Sequence, residues 1–480
     1  MKEPKIMLIN PAMEILPEGQ NMRSSLGLGP LCVAGALVEE NVPVKIFDMI
    51  MGDNDELLSK SFYNHQTLPH GNIRVGISLE DMIEKIDEFK PNIIGVSSIF
   101  TEQTDMALEV AEAVKKYNKN ILLIVGGGNA NALKEHFLNN NFDLISSGDG
   151  ELAIKALIAN LRKKEDISST LSFSYKKDGK VISNNILTYS NLNDSPFPYL
   201  DGISLPKYWN VNSAHYGAYK GGKFWQIETG RGCKFHCTYC INSFGKVIRE
   251  KSIKRVLSEL QVLKKKGVED VFIEDDCIGN RPPEFWEKIK SMGLKFYIPN
   301  GINISSLIKY GSPYNQLINT MIDAGVNHLS LPFESGSTRI LNKWSNLKWN
   351  PEKISISSLK ALCNYLNDKG IITDGYFMIG FPDEKLEEVY KTYDLAKDLR
   401  SEGLSSATFF ICTPFPGTAM WKYAKKHNLI SQTNYRDFRI GKPFMETNIS
   451  YDKLSEFRKE WYTELNETSY VETRSKKDVK

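Results

Sequence analysis

From residue 224 to residue 430 the chain repeats one unit, a short apolar strand followed by an amphipathic helix, and few folds accept that repetition. The spacing predicts strands over 224–229, 271–273, 295–299, 328–333, 375–379 and 407–412, with helices over 253–265, 283–292, 314–324, 354–367, 386–399 and 419–427. A curved parallel sheet with its helices outside, a partial (β/α)6 barrel of TIM type, satisfies the pattern. Its loops at the carboxyl ends of the strands then form the active face.

Polar groups fall at those strand ends with some regularity: Glu274-Asp275-Asp276, Asn300 and Asn303, Glu334-Ser335-Gly336-Ser337, Gly380 to Glu384, and Thr413 to Thr418. Singly each is explained as a helix N-cap, Asp383 and Thr418 above all. Together they predict one cavity. The loop after the first strand is the most informative, because it carries Cys233, Cys237 and Cys240 in the spacing C-x3-C-x2-C with no fourth cysteine nearby. Structural zinc takes four protein ligands, and His236, directly beside Cys237, would strain a tetrahedral site. Iron–sulfur clusters are held by thiolates, normally four, so three would leave one iron of a [4Fe-4S] cluster open to a non-protein ligand. Of the remaining cysteines, Cys32, Cys363 and Cys412 sit in apolar runs and read as core, and Cys277 as a packed thiol beside Asp276.

Ahead of this region, strands over 6–10, 42–48, 92–100, 121–128 and 142–147 alternate with helices over 30–40, 79–89, 106–117 and 131–137. That order predicts an α/β, doubly wound, Rossmann-like sheet, which binds ligands at the carboxyl ends of its strands. Asn10, Ser97, Ser98, Gly126, Gly127, Gly128 and Gly148 fall there. The three glycines also suit a tight strand-to-helix turn and do not make a dinucleotide fingerprint. Residues 51–76, with His65 and His70, read as a surface excursion or lid, residues 171–182 as a hairpin turning on Asp178-Gly179, and the proline-containing stretch 191–206 as a semi-rigid linker. The resulting division is 1–165, a linker over 166–210, the barrel over 211–430, and a mainly helical extension over 431–480 with Trp461, Tyr462 and Tyr470, ending in a frayed basic tail over 474–480.

Composition narrows the partners. Sixty Lys and Arg against 58 Asp and Glu give a net charge of +2, so no global field favours nucleic acid or an anionic membrane. No apolar run approaches a membrane span, the first residues lack the pattern of a signal peptide, and 7 cysteines form an odd set suited to a reducing compartment. A cytoplasmic location is expected.

The motifs resemble those of the radical S-adenosylmethionine enzymes, and within them the subgroup with an N-terminal cobalamin-binding domain. The resemblance spans roughly residues 5–430. It rests on the cysteine loop with Tyr239 before its last cysteine, on Phe333 to Ser337, Tyr376 to Pro382 and Pro414 to Thr418, and, in the first region, on Leu26 to Pro30, Gly126 to Gly128 and Gly148 to Glu151. It implies a [4Fe-4S] cluster on Cys233, Cys237 and Cys240. S-adenosylmethionine would bind the open iron near Tyr239, Glu274, Asp275, Asp276, Glu334, Ser335, Ile379, Gly380 and Phe381, the ribose meeting Glu334 and Ser335, the adenine meeting Tyr239 and the backbone at 379–381, and the amino group meeting the acids at 274–276. Cobalamin would lie against Asn10, Gly29, Ser97, Ser98, Gly126, Gly127, Gly128 and Gly148.

Two departures stand out. The motif D-x-H-x-x-G is absent, the chain reading Asn10-Pro11-Ala12-Met13-Glu14, so no histidine of that loop ligates cobalt; and Glu274-Asp275-Asp276 replaces a more common Gly-Gly-Glu. The resemblance implies reductive cleavage of S-adenosylmethionine to a 5′-deoxyadenosyl radical, and methylation of an unactivated carbon, or of phosphorus, in a small-molecule or natural-product substrate. Flavodoxin or ferredoxin would supply electrons. The alternative is radical oxidation, cyclisation, ring contraction or rearrangement without methyl transfer. A methylthiotransferase would need three more cysteines in the first domain, which has only Cys32, and a cobalamin sensor would leave the cysteine loop without a purpose.

Overall fold

The computed structural model describes residues 3–17, 26–211, 219, 221–308, 316–345, 349–438 and 444–466. The chain divides into two compact units, residues 1–224 with 435–437, and residues 225–434 with 438–480.

The first unit is built on ten strands: β1 (Ile6–Asn10), β2 (Met13–Ile15), β3 (Val44–Asp48), β4 (His65–Thr67), β5 (Ile73–Val75), β6 (Ile93–Ser97), β7 (Leu122–Gly126), β8 (Leu144–Ser146), β9 (Phe173–Lys177) and β10 (Lys180–Ser183). Seven form one sheet in the order β10-β9-β8-β7-β6-β1-β3. Strands β3, β1, β6, β7 and β8 are parallel neighbours. Covered by helices such as Leu28–Glu39, Thr104–Tyr117 and Gly150–Lys163, they bury residues on both faces, which is why they read as apolar runs rather than alternations. The order reverses between β1 and β6. That is the switch point where a doubly wound sheet opens a crevice at its carboxyl ends.

Four sequence expectations change here. The helix expected over 131–137 is two short ones, Gly128–Ala132 and Lys134–Asn139. The hairpin turns at Asp178-Gly179 as expected, but it is no linker: β9 pairs antiparallel with β8 and prolongs the sheet. Residues 191–206 also fold onto this unit, Tyr199 N donating to Leu31 O at 2.9 Å, and Gly35 is required because a Cβ there would stand 2.1 Å from Phe197 O. The 51–76 segment is likewise structured, with β5 pairing antiparallel to both β2 and β4. Its buried Asn72 donates to buried Glu14 at 2.5 Å, and His70 Nε2 lies 3.2 Å from the same carboxylate.

The second unit carries β11 (Phe224–Ile227), β12 (Gly230–Arg231), β13 (Arg249–Glu250), β14 (Asp270–Ile273), β15 (Lys295–Ile298), β16 (Val326–Glu334), β17 (Ile372–Ile379) and β18 (Ser406–Ile411). Six form a sheet in the order β11-β14-β15-β16-β17-β18, so each strand lies beside its predecessor, parallel from β14 onward. Helices Ile253–Lys265, Pro283–Ile289, Gln316–Asp323, Ile356–Asp368, Leu386–Ser401 and Ala419–Lys426 complete the expected strand–helix series. The short pair β12–β13 closes the base of the cysteine loop.

The extension forms the helix Tyr451–Asn466, which seals the edge of the sheet: Asn466 exchanges hydrogen bonds with the main chain of Ala407 in β18, both at 2.9 Å, and Trp461 meets Phe409 edge-on at 5.2 Å. Tyr470 and the basic tail lie outside the described residues. No helix among the described residues is long and apolar enough to cross a membrane.

Candidate functional site

The cysteine loop is fixed by its backbone. Gly232 has φ +91°, and a Cβ there would stand 2.3 Å from Val247 O. Only glycine fits both demands. Cys233 N donates to Gly245 O at 3.0 Å, Asn242 Nδ2 to Cys233 O at 2.8 Å, and Thr238 N and Oγ1 to Trp344 O at 3.1 and 2.8 Å, while Thr238 O accepts from Met420 N at 2.7 Å. Cys237 is buried with its thiol donating to Ser345 O at 2.9 Å, Cys233 is half-buried, and Cys240 is exposed. None of the seven cysteines is in a disulfide. Among the described residues no three His, Cys, Asp or Glu side chains converge on one ion, whereas a cluster takes one thiolate per iron and accepts thiols set wider apart. The donor set of three thiols on one braced loop therefore suits a cluster.

The three consecutive acids after β14 divide their work, contrary to the expectation that all meet one amino group. Asp275, buried, accepts from Thr229 N at 2.5 Å and Thr229 Oγ1 at 2.6 Å. Burial pushes its carboxyl up to about 7, against the Thr229 hydrogen bond and the charge of Arg281. Arg281 donates to Thr229 O and, at 2.9 Å, to Lys251 O, so Asp275 and Arg281 clamp the residue between β11 and β12. Asp276 Oδ2 accepts from Gly232 N at 2.9 Å and braces the cysteine loop itself. Glu274 alone points along the strand ends, where Asn300 Nδ2 donates to it at 3.1 Å.

Facing the loop, Tyr239 packs edge-on against Phe381 with ring centroids 6.0 Å apart. Burial, then the neighbouring Glu334 charge, raises its phenol well above the ordinary range. The Tyr239 hydroxyl lies buried beside the Ser345 hydroxyl and the Glu334 carboxylate, so the cysteine loop and the end of β16 meet in a buried polar cluster. Glu334, buried at the end of β16, has φ +65°, a left-handed conformation unusual for a non-glycine side chain, where the register with β17 shifts. Such strain concentrates at ligand sites.

Ser335 is not open as expected. It is fully buried, 3.1 Å from Thr392 Oγ1, and accepts from Ser337 N at 3.1 Å, so it shapes the turn rather than a ribose contact. Thr418 caps the helix Ala419–Lys426 and Asp383 gathers Arg339, Lys343 and Trp344, as ordinary structural residues do.

The backbone at 379–381 is also already engaged. Glu384, unremarked in the sequence beyond its strand-end position, accepts from Gly380 N at 2.6 Å and Phe381 N at 3.2 Å, and Ile379 O accepts from Cys412 N at 2.8 Å. Gly380 has φ +81°, a backbone conformation that L side chains rarely adopt. The segment therefore offers shape and the Phe381 ring, not free amides. Burial pushes Glu384 up to about 8 from 4.5, outweighing the Phe381 and Gly380 amides. Its contribution to stability is thus full below the unfolded value and is lost as pH rises through about 8. Glu384→Gln keeps an acceptor for both amides and removes the titration. Between pH 5 and 8, urea midpoints should fall less in this variant than in the parent, by roughly 3–5 kcal/mol of unfolding free energy.

In the first unit the carboxyl-end residues also separate into structural and open positions. Asn10 is buried and donates to Asp48 at 2.8 Å, Tyr208 binding the other oxygen at 2.8 Å; Ser98 is fully buried and accepts from Asn129 at 2.8 Å. Both were expected as ligand contacts; both instead hold the strand ends together. Gly127, at φ +118°, would drive a Cβ to 2.3 Å from Ser98 O, and Gly148, at φ +74°, to 2.5 Å from Leu187 O. Gly126 ends β7, Gly128 opens the following helix, and Ser97, half-buried, ends β6 beside the switch point. Gly29 differs: nothing lies within 4 Å of where its Cβ would be, which leaves open space at the start of the helix Leu28–Glu39. Open space at Gly29, in the first turn of this helix, and a strand-order reversal in the neighbouring sheet fit a large planar cofactor.

Residues 227–396 match the radical SAM superfamily, and residues 28–158 match the B12 binding domain. An uncharacterized methyltransferase of Pyrococcus horikoshii is 29% identical over 482 residues, covering 98% of this chain and 92% of that protein. The cytidylyl-2-hydroxyethylphosphonate methyltransferase of Streptomyces wedmorensis is 25% identical over 454 residues, covering 87% and 80%. The solved structure of the cobalamin-dependent S-adenosylmethionine radical enzyme OxsB superimposes with a TM-score of 0.71 at 17% identity, covering 96% of this chain and 66% of that one, a likeness of fold. The thiol loop, the doubly wound sheet and these matches agree, and the chain belongs to the radical SAM enzymes that carry a B12 binding domain, the cobalamin-dependent methyltransferase-like kind.

Proposed function

We propose that this enzyme transfers a methyl group from S-adenosylmethionine, through cobalamin, to an unactivated carbon or a phosphorus of a small molecule. The observation that carries the reading is the presence, in one chain, of three thiols outside any disulfide on a braced loop and a doubly wound sheet with open space at Gly29 in the first turn of a helix. When bound, the cluster with S-adenosylmethionine supplies a carbon-centred radical able to take an unactivated hydrogen, and cobalamin supplies a transferable methyl group.

The chain's own residues do the rest. Cys233, Cys237 and Cys240 hold the cluster; Asp276, through Gly232, and Asp275, through Thr229, hold the loop that presents them. Tyr239 and Phe381 offer an aromatic wall, Glu334 a carboxylate for ribose hydroxyls, and Glu274 the remaining acid for a cationic amino group. Gly29, Gly126, Gly127, Gly128, Gly148 and Ser97 would border cobalamin. The Streptomyces wedmorensis relative, a methyltransferase named for a phosphonate-bearing small molecule, supports a small-molecule substrate. Electrons would come from a one-electron donor such as flavodoxin or ferredoxin, in the cytoplasm.

The test is labelled transfer. Anaerobic chain reconstituted with iron, sulfide and hydroxocobalamin, given methyl-labelled S-adenosylmethionine and a deproteinised extract, should form 5′-deoxyadenosine and place label in an extractable product, with about one cobalamin retained per chain. Formation of 5′-deoxyadenosine with no labelled product and no retained cobalamin would move the assignment to oxidation, cyclisation, ring contraction or rearrangement.

A further inference from the structure

We propose that the cysteine-loop end of the second unit carries a lysine-rich docking surface for an acidic one-electron donor protein, centred on Lys422, Lys425 and Lys426; it rests on the functional reading above. Cleaving a sulfonium carbon–sulfur bond by one electron oxidises a donor by one electron and reduces the sulfonium by one. That electron must arrive from outside at the thiol loop, whose Cys240 is exposed.

The charge distribution singles out where. The whole chain is nearly neutral, with 60 basic and 58 acidic residues, yet residues 413–431 contain Lys422, Lys425 and Lys426 and no carboxylate, and residues 232–249 add exposed Lys234 and Lys246, whereas Arg231 is buried and paired with Glu228 at 2.7 Å. The fold joins these stretches. Met420, in the first turn of the helix Ala419–Lys426, donates its amide to Thr238 O at 2.7 Å, between Cys237 and Tyr239. Because Met420, Trp421 and Ala424 are buried, the helix can turn only its other face outward, and that face holds the three exposed lysines at i, i+3 and i+4.

A helix end welcomes cations, and the last turn would gain from Lys425 and Lys426 on that ground alone. It does not gain from Lys422, and like charges at this spacing repel. These three lysines join no ion pair among the described residues, and Lys425 lies over the Trp421 ring, 4.7 Å from its centroid, with its charge still at the surface. A surplus of one sign around an entry point steers an oppositely charged protein, and does so less as salt rises. Nucleic acid is the other polyanion, but binding it takes many phosphate contacts along a stripe, not one helix turn.

The experiment uses the full chain with its cluster reconstituted and, as probe, an acidic flavodoxin. Two quantities are read: the Kd for oxidised flavodoxin by fluorescence anisotropy, and 5′-deoxyadenosine formation driven by reduced flavodoxin or by dithionite. The variant Lys422→Glu with Lys425→Glu and Lys426→Glu should raise the Kd at least about tenfold and slow flavodoxin-driven cleavage in proportion, while the dithionite-driven rate stays the same; for the parent chain, raising salt from about 50 to 300 mM should weaken binding likewise. Salt-insensitive binding, or a variant that binds as the parent does, overturns the proposal. So does a variant that loses only the binding of an RNA oligonucleotide. If the charge-reversed chain also loses dithionite-driven cleavage, the triple Lys→Gln variant at the same positions decides by the same two readouts. A parent chain that binds flavodoxin but never cleaves S-adenosylmethionine with dithionite overturns the functional reading instead.

Discussion

Replacing Cys233, Cys237 or Cys240 with Ala, one at a time, is expected to abolish both the brown absorbance of the reconstituted cluster and the cleavage of S-adenosylmethionine. The loss should exceed the roughly 10–100-fold typical of removing a residue that only supports a ligand, because each thiol is a ligand itself. The fold should survive. Cys240 is exposed and Cys233 half-buried, so little packing is lost, and at buried Cys237 one thiol contact to Ser345 O disappears. Unfolding midpoints within about 1 kcal/mol of the parent would therefore accompany complete loss of cleavage. Any of the three variants that keeps both its colour and its cleavage would remove that thiol from the ligand set and leave the loop without its assigned chemistry.

What the sequence made legible follows from physics that acts locally. Both sheets came from periodicity, since buried parallel strands are apolar runs and their helices carry a 3.6-residue stripe. The thiol loop was legible because its chemistry needs one residue type at one spacing. Side-chain direction at strand ends was not. Glu274, Asp275 and Asp276 are three similar acids in a row, and only the path of the chain sends Asp275 to Thr229, Asp276 to Gly232 and Glu274 to Asn300. The same holds for Glu384, whose role as acceptor for two amides depends on a turn made by Gly380 at φ +81°. Pairings between distant segments were equally hidden: residues 173–183 look like a detached hairpin until β9 meets β8, and 51–76 like a loop until β5 meets β2. Polar strands of three residues carry too little alternation to announce themselves.

Gly232→Ala should cost the enzyme its cluster without altering any ligand. Two separate penalties meet at this position. An L-residue at φ +91° is strained by about 1–3 kcal/mol, and its Cβ would stand 2.3 Å from Val247 O and 3.2 Å from Gly245 O, main-chain atoms that move only by displacing the turn that leads into β13. Gly245 O is also the acceptor for Cys233 N, and Gly232 N is the donor to Asp276, so relief of the clash shifts the first thiol and loosens its brace together. Gly245→Ala separates the two penalties, because Gly245 has φ +80° but nothing within 4 Å of its Cβ. That variant should lose about 1 kcal/mol and keep its cluster. Gly232→Ala should lose several-fold more iron per chain than Gly245→Ala after identical reconstitution, read by iron content and by the cluster's absorbance, while far-ultraviolet circular dichroism remains that of the parent. Equal iron in the two variants would mean that strain alone, and not the packing of residues 245–247 against the loop, sets the position of the thiols.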